Sequence, residues 1–338
     1  MNNVTYYFGA GASAEVLPVV NQISDRIKEQ IKYINNSENF NWKDTNITNN
    51  IRDNKEKYIE DLNWLDSQIS RHASIDTYAK KLYLTHDESN LFKLKIVFSI
   101  FMILEQLKKY ADKRYDSFFA SILEQSTIRF PKNVRIVSWN YDFQFEKAYS
   151  EYCSKEDICD IKQSLFIKNK FFESDADLAY NGFSISKLNG TTSLYNTQNY
   201  QNYDLFLSVN EWKNQFIRIL ETYYPISIPE YRREKLSSGL SFAWEHVKSR
   251  TGHTIVDIVK QDTTETNILV VVGYSFPYFN REVDREIIGN MNNLQKVYFQ
   301  DLYPDSIRER FMSIRNDIPI ENLFLRKDIK QFLFPNEL

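Results

Sequence analysis

The chain has 338 residues and a formal charge of −3, long enough for one large α/β domain with an insertion or for two domains. That charge gives no basic footprint for general nucleic-acid binding. The hydrophobic fraction is 42%, and 24 Phe and 22 Tyr carry much of the core volume, since each aromatic buries a large area.

Residues 4–8 are a β-branched and aromatic run that stops at Gly9, the pattern of a first buried strand. Gly9-Ala10-Gly11-Ala12-Ser13 follows, and a helix is expected from Ala14, bent near Pro18 and resumed through Ile23, Ile27 and Ile31. Strand, glycine turn and helix in that order make the entry unit of a nucleotide-binding fold. The turn would bring backbone N–H groups towards a phosphate, with Ser13 adding a hydroxyl. Alone, a Gly-x-Gly reads equally well as a tight turn.

Residues 35–55 are rich in Asn, Asp, Lys and Ser and read as loop. From 58 to 124 the periodicity is helical, with stripes Leu62/Leu65/Ile69 and Ile75/Tyr78/Leu82 and a long helix expected over 89–110. The apolar run 96–104 is too short for a membrane span and is flanked by Lys93, Lys95 and Glu105, so it reads as a buried helix. Nine aromatic and aliphatic residues of this stretch (Trp64, Leu65, Ile69, Tyr83, Phe92, Phe98, Phe101, Phe118 and Phe119) lie outside the nucleotide core and could leave a surplus for a partner. Packing within the insertion's own core is the competing account of them.

The core returns at 134–138, followed by Trp139-Asn140-Tyr141-Asp142 and a helix through Phe145 and Tyr149. Residues 155–205 read as irregular or short-stranded and carry the turn Lys187-Leu188-Asn189-Gly190; residues 205–208 and a helix over 211–223, ended by Pro225 and Pro229, come next. A helix near 241–250 precedes the strongest strand, 267–273, which ends in Gly273-Tyr274-Ser275-Phe276. A helix near 281–290 leads to a last strand at 295–301, ending on Asp301. Strands alternating with helices predict a Rossmann-like, doubly wound parallel sheet.

Each motif has a plain structural account: Asp142 as a helix N-cap, Asn189-Gly190 as a turn, Asp301 as a cap before Pro304. Together, the order Gly-Ala-Gly-x-Ser, Asn-Tyr-Asp, x-Gly, Gly-Tyr-Ser-Phe covers residues 4–301 and resembles the sirtuin-like (SIR2) family, in particular its bacterial anti-phage defence subgroup. Ser74-Ile75-Asp76-Thr77-Tyr78 also resembles that subgroup. The resemblance implies one SIR2-like domain over 1–338, with an NAD-binding core at 1–34 and 131–338 and a helical insertion at 35–130 in place of the zinc module of protein-deacylating sirtuins. It implies NAD+ as substrate, held by Gly9, Ala10, Gly11, Ser13, Asn140, Asp142, Gly273, Ser275 and Asp301, with Asn140, Asp142 and position 189 as catalytic residues: Asn140 and position 189 act at the nicotinamide ribose, and Asp142 accepts from the carboxamide.

With two cysteines, Cys153 and Cys159, the chain cannot build a four-cysteine zinc site, which disfavours a deacylase, and no metal is expected. The Asn-Tyr-Asp motif argues against an oxidoreductase. The histidines His72, His86, His246 and His253 fall outside the motifs.

Where the family motif has His-Gly, this chain has Asn189. An amide can bond a hydroxyl but cannot take its proton at pH 7, and losing a general base costs about 10²- to 10⁴-fold in rate. Two readings stay open: an NAD+ hydrolase weakened at position 189, by design or by drift, and a non-catalytic NAD or ADP-ribose-binding sensor or scaffold subunit of a defence complex. Either is expected to be cytoplasmic, without a signal peptide, and to work as a homo-oligomer or with a separate sensor or activator protein, for which an NTPase-type protein is one candidate.

Overall fold

Seven strands lie parallel in the order β3-β4-β2-β1-β7-β8-β9 in the computed structural model, which describes residues 2–44, 47–123, 129–153, 158–169, 182–196, 212–222, 236–248 and 252–338. The strands are β1 (Val4–Phe8), β2 (Val134–Ser138), β3 (Ile167–Lys168), β4 (Ser184–Lys187), β7 (Ile268–Val272), β8 (Lys296–Gln300) and β9 (Leu323–Arg326); β5 (Gly190–Asn196) and β6 (Leu236–Leu240) form a separate pair. The chain winds outward from β1 through β2 to β4, then restarts on the other side of β1 with β7. This is the reversal of a doubly wound sheet, and its switch point lies between β1 and β7.

The register places the strand ends level. Phe8 pairs with Ser138 and with Val272, Ser138 with Lys187, and Val272 with Gln300. Every motif picked out in the sequence therefore leaves the sheet at the same edge.

Alternation along β1 sorts its side chains onto two faces, as the pleat requires. Tyr6 and Phe8 meet Phe118 of the helix Lys113–Ile122 edge-on, and Phe8 also meets Phe145 and Phe332. Tyr7 points the other way, against Tyr274 and Phe276. Helices Ile255–Thr263, Arg281–Gly289 and Pro304–Met312 cover that second face through Val256, Val259, Val283, Ile287, Ile307 and Phe311. Both faces of a parallel sheet are thus buried, which is why its strands read as unbroken apolar runs.

The described chain divides into two compact units, the sheet unit of Met1–Glu15, Ala111–Gly190 and Ser241–Leu338, and a second unit of Val16–Tyr110 and Thr191–Leu240. Residues 16–34, expected with the nucleotide core, group with the second unit, whereas 111–123 group with the sheet. The second unit is built on helices Ile23–Asn35, Asn49–Arg71, Ile75–Leu84, Glu88–Gln106 and Trp212–Thr222, with the β5–β6 pair. Its centre holds a buried carboxylate, Glu105, which pairs with Arg26 Nε at 2.9 Å and with Lys108, and accepts from Gln30.

Several sequence expectations need correcting. No helix begins at Ala14; a 3-10 turn covers Ala10–Ser13 and the first α-helix starts at Ile23. Residues 49–55, expected as loop, are helical because Thr48 caps the helix and Ile51 and Tyr58 face its core. The expected helix near 241–250 is a 3-10 turn at Ala243–Glu245, ended by His246 at φ 49°. Leu65, Phe98, Phe101, Phe118 and Phe119, part of the apparent apolar surplus, are buried in the cores of their own units. Residues 205–208 lie outside the described part of the chain.

A close backbone approach joins the two glycine motifs of the sheet unit. A Cβ on Gly11 would sit 2.8 Å from Gly273 Cα, and one on Gly273, at φ 59°, would sit 2.5 Å from Ala12 N. Gly273→Ala combines left-handed strain with backbone overlap. We expect it to cost about 2–4 kcal/mol of stability, measured by urea unfolding.

Candidate active site

The turns after β1 and β2 converge on one hydroxyl. Ser13, buried at the end of the Gly9–Ser13 turn, donates to Asp142 Oδ2 at 2.7 Å. Its only proton is then committed, so Tyr115 OH at 2.8 Å and Asn140 Nδ2 at 3.3 Å must donate to it. Asn140 Nδ2 also reaches Gly9 O at 2.9 Å, which ties the second motif to the first. Asn140 Oδ1 takes no partner among the described residues.

Asp142 does double duty. Its Oδ1 accepts from the Gln144 N–H at 3.1 Å, as a residue at a helix start does, while Oδ2 serves Ser13. Burial raises the pKa of its carboxyl, and the nearby Lys187 charge and the Ser13 hydrogen bond offset only part of that rise. Lys187 Nζ donates to the Asp142 main-chain oxygen at 2.6 Å and to both Glu146 oxygens at 2.6 and 2.8 Å.

Arg114 braces the glycine turn from outside. It is held by both Asp112 oxygens, and its Nη1 donates to Gly11 O at 3.3 Å. Three of the turn's amides are spent inside the protein: Gly9 N donates to Val272 O, Gly11 N to Gly273 O and Ala12 N to Gly9 O. These glycines therefore serve close packing against Gly273-Tyr274. The phosphate contact expected of the Gly9 and Gly11 N–H groups is not offered by this geometry.

Asn189 is buried and has the role of a staple. Its Nδ2 donates to Trp139 O at 3.1 Å and its Oδ1 accepts from Ala243 N at 3.2 Å, fixing the β4 exit between the β2 exit and the 243–245 turn. Its link to the Ser13 cluster runs through the Trp139-Asn140 main chain. Ser275 is exposed and Asp301 half-buried; the Ser275 carbonyl accepts from Arg310, and Asp301 Oδ1 accepts from Tyr303 N. Neither side chain joins the Ser13 cluster among the described contacts. Ala10 is exposed at the tip of the turn.

Tyr115, Lys187, Glu146 and Arg114 were given no role by sequence reasoning. Lys187 stood inside a quoted motif, but nothing local pairs it with Glu146, 41 residues away. Tyr115, at a separation of 102 residues from Ser13, had no local signal either. Among the described residues no group of His, Cys, Asp and Glu is placed to hold a metal, and Cys153 and Cys159 are not joined in a disulfide.

Behind the site a second polar cluster supports the fourth motif. Asp284, fully buried, accepts from Tyr7 OH at 2.7 Å and Tyr274 OH at 2.9 Å, and the Tyr274 ring stacks on Trp139 at 5.5 Å. The Trp139 Nε1 also bears on this carboxyl without reaching hydrogen-bond geometry.

No family model and no curated protein sequence matches the chain. Among solved structures it is similar to Sir2Tm bound to a propionylated peptide, with a TM-score of 0.41 and 10% identity over 97% of this chain and 87% of that one. It is similar also to a Sir2 mutant with a p53 peptide and NAD, with a TM-score of 0.42 and 12% identity over 97% and 87% of the two chains. A third is a mutant Sir2 homologue in complex with ADP-ribose, with a TM-score of 0.38 and 10% identity over 93% and 92%. Likeness of this degree bears no weight for ligand or reaction.

Burial raises the Asp284 pKa to about 7, against hydrogen bonds from Tyr7 and Tyr274 that lower it. Between the unfolded value of about 3.9 and that pH the folded protein holds a proton the unfolded chain has lost. Stability should therefore fall as pH rises from about 4 to about 7 and level off above. Asp284→Asn, which mimics the protonated acid, should flatten that fall in urea melts taken across the range.

Proposed function

We propose that the chain binds NAD+ at the carboxyl edge of its sheet and cleaves it to nicotinamide and ADP-ribose. The observation that most supports this reading is the Ser13–Asn140–Asp142 cluster, built beside the point where the strand order reverses. Ligands of open α/β sheets bind in that crevice. The four-motif resemblance to sirtuin-like defence proteins points to NAD+ among the nucleotides.

The groups left open suit that substrate. Asn140 Oδ1 is an acceptor without a partner among the described residues, and each Asp142 oxygen keeps a lone pair beyond the bonds described above. Acceptors match ribose hydroxyls, an attacking water or a developing positive charge. In the reaction the bond from ribose C1′ to the nicotinamide nitrogen breaks, nicotinamide leaves with the electron pair, and water adds to C1′ and gives up one proton. Nicotinamide is cationic when bound and neutral when it leaves, so no general acid is required. A carboxylate near the ribose favours the oxocarbenium-like transition state, and Asn140 can orient the water. The general base of the family motif is missing at Asn189, so turnover is slow.

An activity that consumes a shared cofactor has to be silent until needed. We therefore read the chain as the effector subunit of a bacterial anti-phage defence system, controlled by self-assembly or by a separate sensor or activator protein. The support for this setting is the sequence resemblance alone.

One observation favours a second reading, a non-catalytic NAD or ADP-ribose-binding subunit. The Asn189 amide is spent on Trp139 O and Ala243 N, which is the behaviour of a residue kept for shape. A neutral imidazole also has one donor and one acceptor.

Calorimetric titration with NAD+ and chromatographic detection of nicotinamide test both. The wild-type chain should bind NAD+, and Asn140→Ala should weaken binding about tenfold, the loss of one good hydrogen bond. Asn189→His should raise nicotinamide release by about 10²-fold or more if the first reading holds. Binding with no release from either form selects the second reading, and a folded wild-type chain that does not bind NAD+ overturns both.

A further inference from the structure

Beneath the Asn140–Asp142 turn lies a charge cluster that the proposed reaction does not use. Lys187, at the last position of β4, is 1% exposed, and Glu146, on the helix Gln144–Ser150, is fully buried. All three Lys187 protons are committed: one to the Asp142 carbonyl and two to the Glu146 carboxylate. Its ammonium also lies 5.2 Å from the centre of the Phe143 ring. Taking a lysine and a glutamate out of water is expensive, and an apolar pair of the same volume is often as stable or more so. The pair is therefore weak as a stability device, and its place in the fold calls for another role.

We propose that Lys187, backed by Glu146, is the positioning residue of the site: it locks the Asp142 turn to β4 and supplies the counter-charge that keeps Asp142 an acceptor. This rests on the reading of Asp142 as a site residue.

Three features carry it. The Lys187 bond goes to the main chain of Asp142 itself, so it fixes where that carboxylate starts from. Glu146 neutralises the lysine without touching the Asp142 side chain, which leaves Asp142 free to serve Ser13. Lys187 and Asn189 leave the same strand, so one rigid segment sets both the turn of the second motif and the staple of the third.

The groups facing Asp142 are Ser13 from the glycine turn, Tyr115 from the helix Lys113–Ile122, Glu146 from its own helix and Lys187 from β4. Asp112 and Arg114 act on Tyr115 with opposite sign. Lys187 is thus the one cation among the groups directly facing Asp142 in the described structure. Without it, two buried carboxylates share the space, and like charges drive one of them to take a proton.

The test is the titration of Asp142, followed by carbon-13 NMR of side-chain-labelled aspartate and assigned with Asp142→Asn. Lys187→Met should raise the Asp142 midpoint by about 1 unit or more, the size expected on losing an adjacent opposite charge. Lys187→Arg, which keeps the charge, should leave it near wild type. Glu146→Gln removes a like charge and frees the lysine, so it should move the midpoint down. Glu146→Gln and Lys187→Arg keep the test decisive if Lys187→Met does not fold. An Asp142 midpoint that stays put in Glu146→Gln and in any folded Lys187→Met overturns the proposal, as does a shift of the two in the same direction. The NMR readout needs no ligand. Failure of wild-type protein to bind NAD+ would defeat the proposed function, while the midpoints still decide the role of Lys187.

Discussion

The site depends on one constraint, the level ends of the parallel strands at β1, β2, β4, β7 and β8. Phe8 in the middle strand is paired on both sides, and the ladder continues one residue past it, through Trp139 N to Phe8 O and Gly9 N to Val272 O. Because of that register, the turns that follow emerge side by side. The glycines then let the first and fourth turns touch backbone to backbone, at distances where any Cβ would collide. A one-residue slip in β1 would also exchange its two faces, moving Tyr7 out of the Asp284 cluster and Phe8 out of the Phe118–Phe145–Phe332 cluster.

Around this frame the protein places two buried carboxylates. Asp284 is supported mainly by the Tyr7 and Tyr274 hydroxyls, and its carboxyl is driven towards the neutral form. Burial raises the Asp142 pKa too, but a lysine and a serine offset part of the rise. The difference in support comes from neighbours and not from depth, since both are almost fully buried.

The aromatic wealth of the chain also has a local purpose. Tyr115 is wedged between Phe145 and Phe332, each edge-on at 4.7 and 5.0 Å between ring centres, and its hydroxyl is thereby aimed at Ser13. Phe332 belongs to the C-terminal segment, which Gln300 clamps by donating to Asp328 O and Gln331 O and accepting from Leu333 N. A residue at the end of the last sheet strand but one thus steadies a tyrosine at the site.

Periodicity and turn chemistry were enough to find β1, β2, β7 and β8, their glycine and Asn-Tyr-Asp exits, and the parallel α/β class. These are local signals: a buried parallel strand must be apolar throughout, and a close-packed exit must be glycine. Residues 49–55 escaped because a cap and two core contacts outweighed a polar composition. What the Ser13 hydroxyl meets, why Asn189 is held by two main-chain groups, and that Lys187 serves Asp142 were decided by tertiary structure. Each depends on partners brought together from 41 to 129 residues apart. No spacing rule within one element can encode which of several polar atoms a distant turn will place at hydrogen-bond distance, because that follows from the register and packing of the whole sheet.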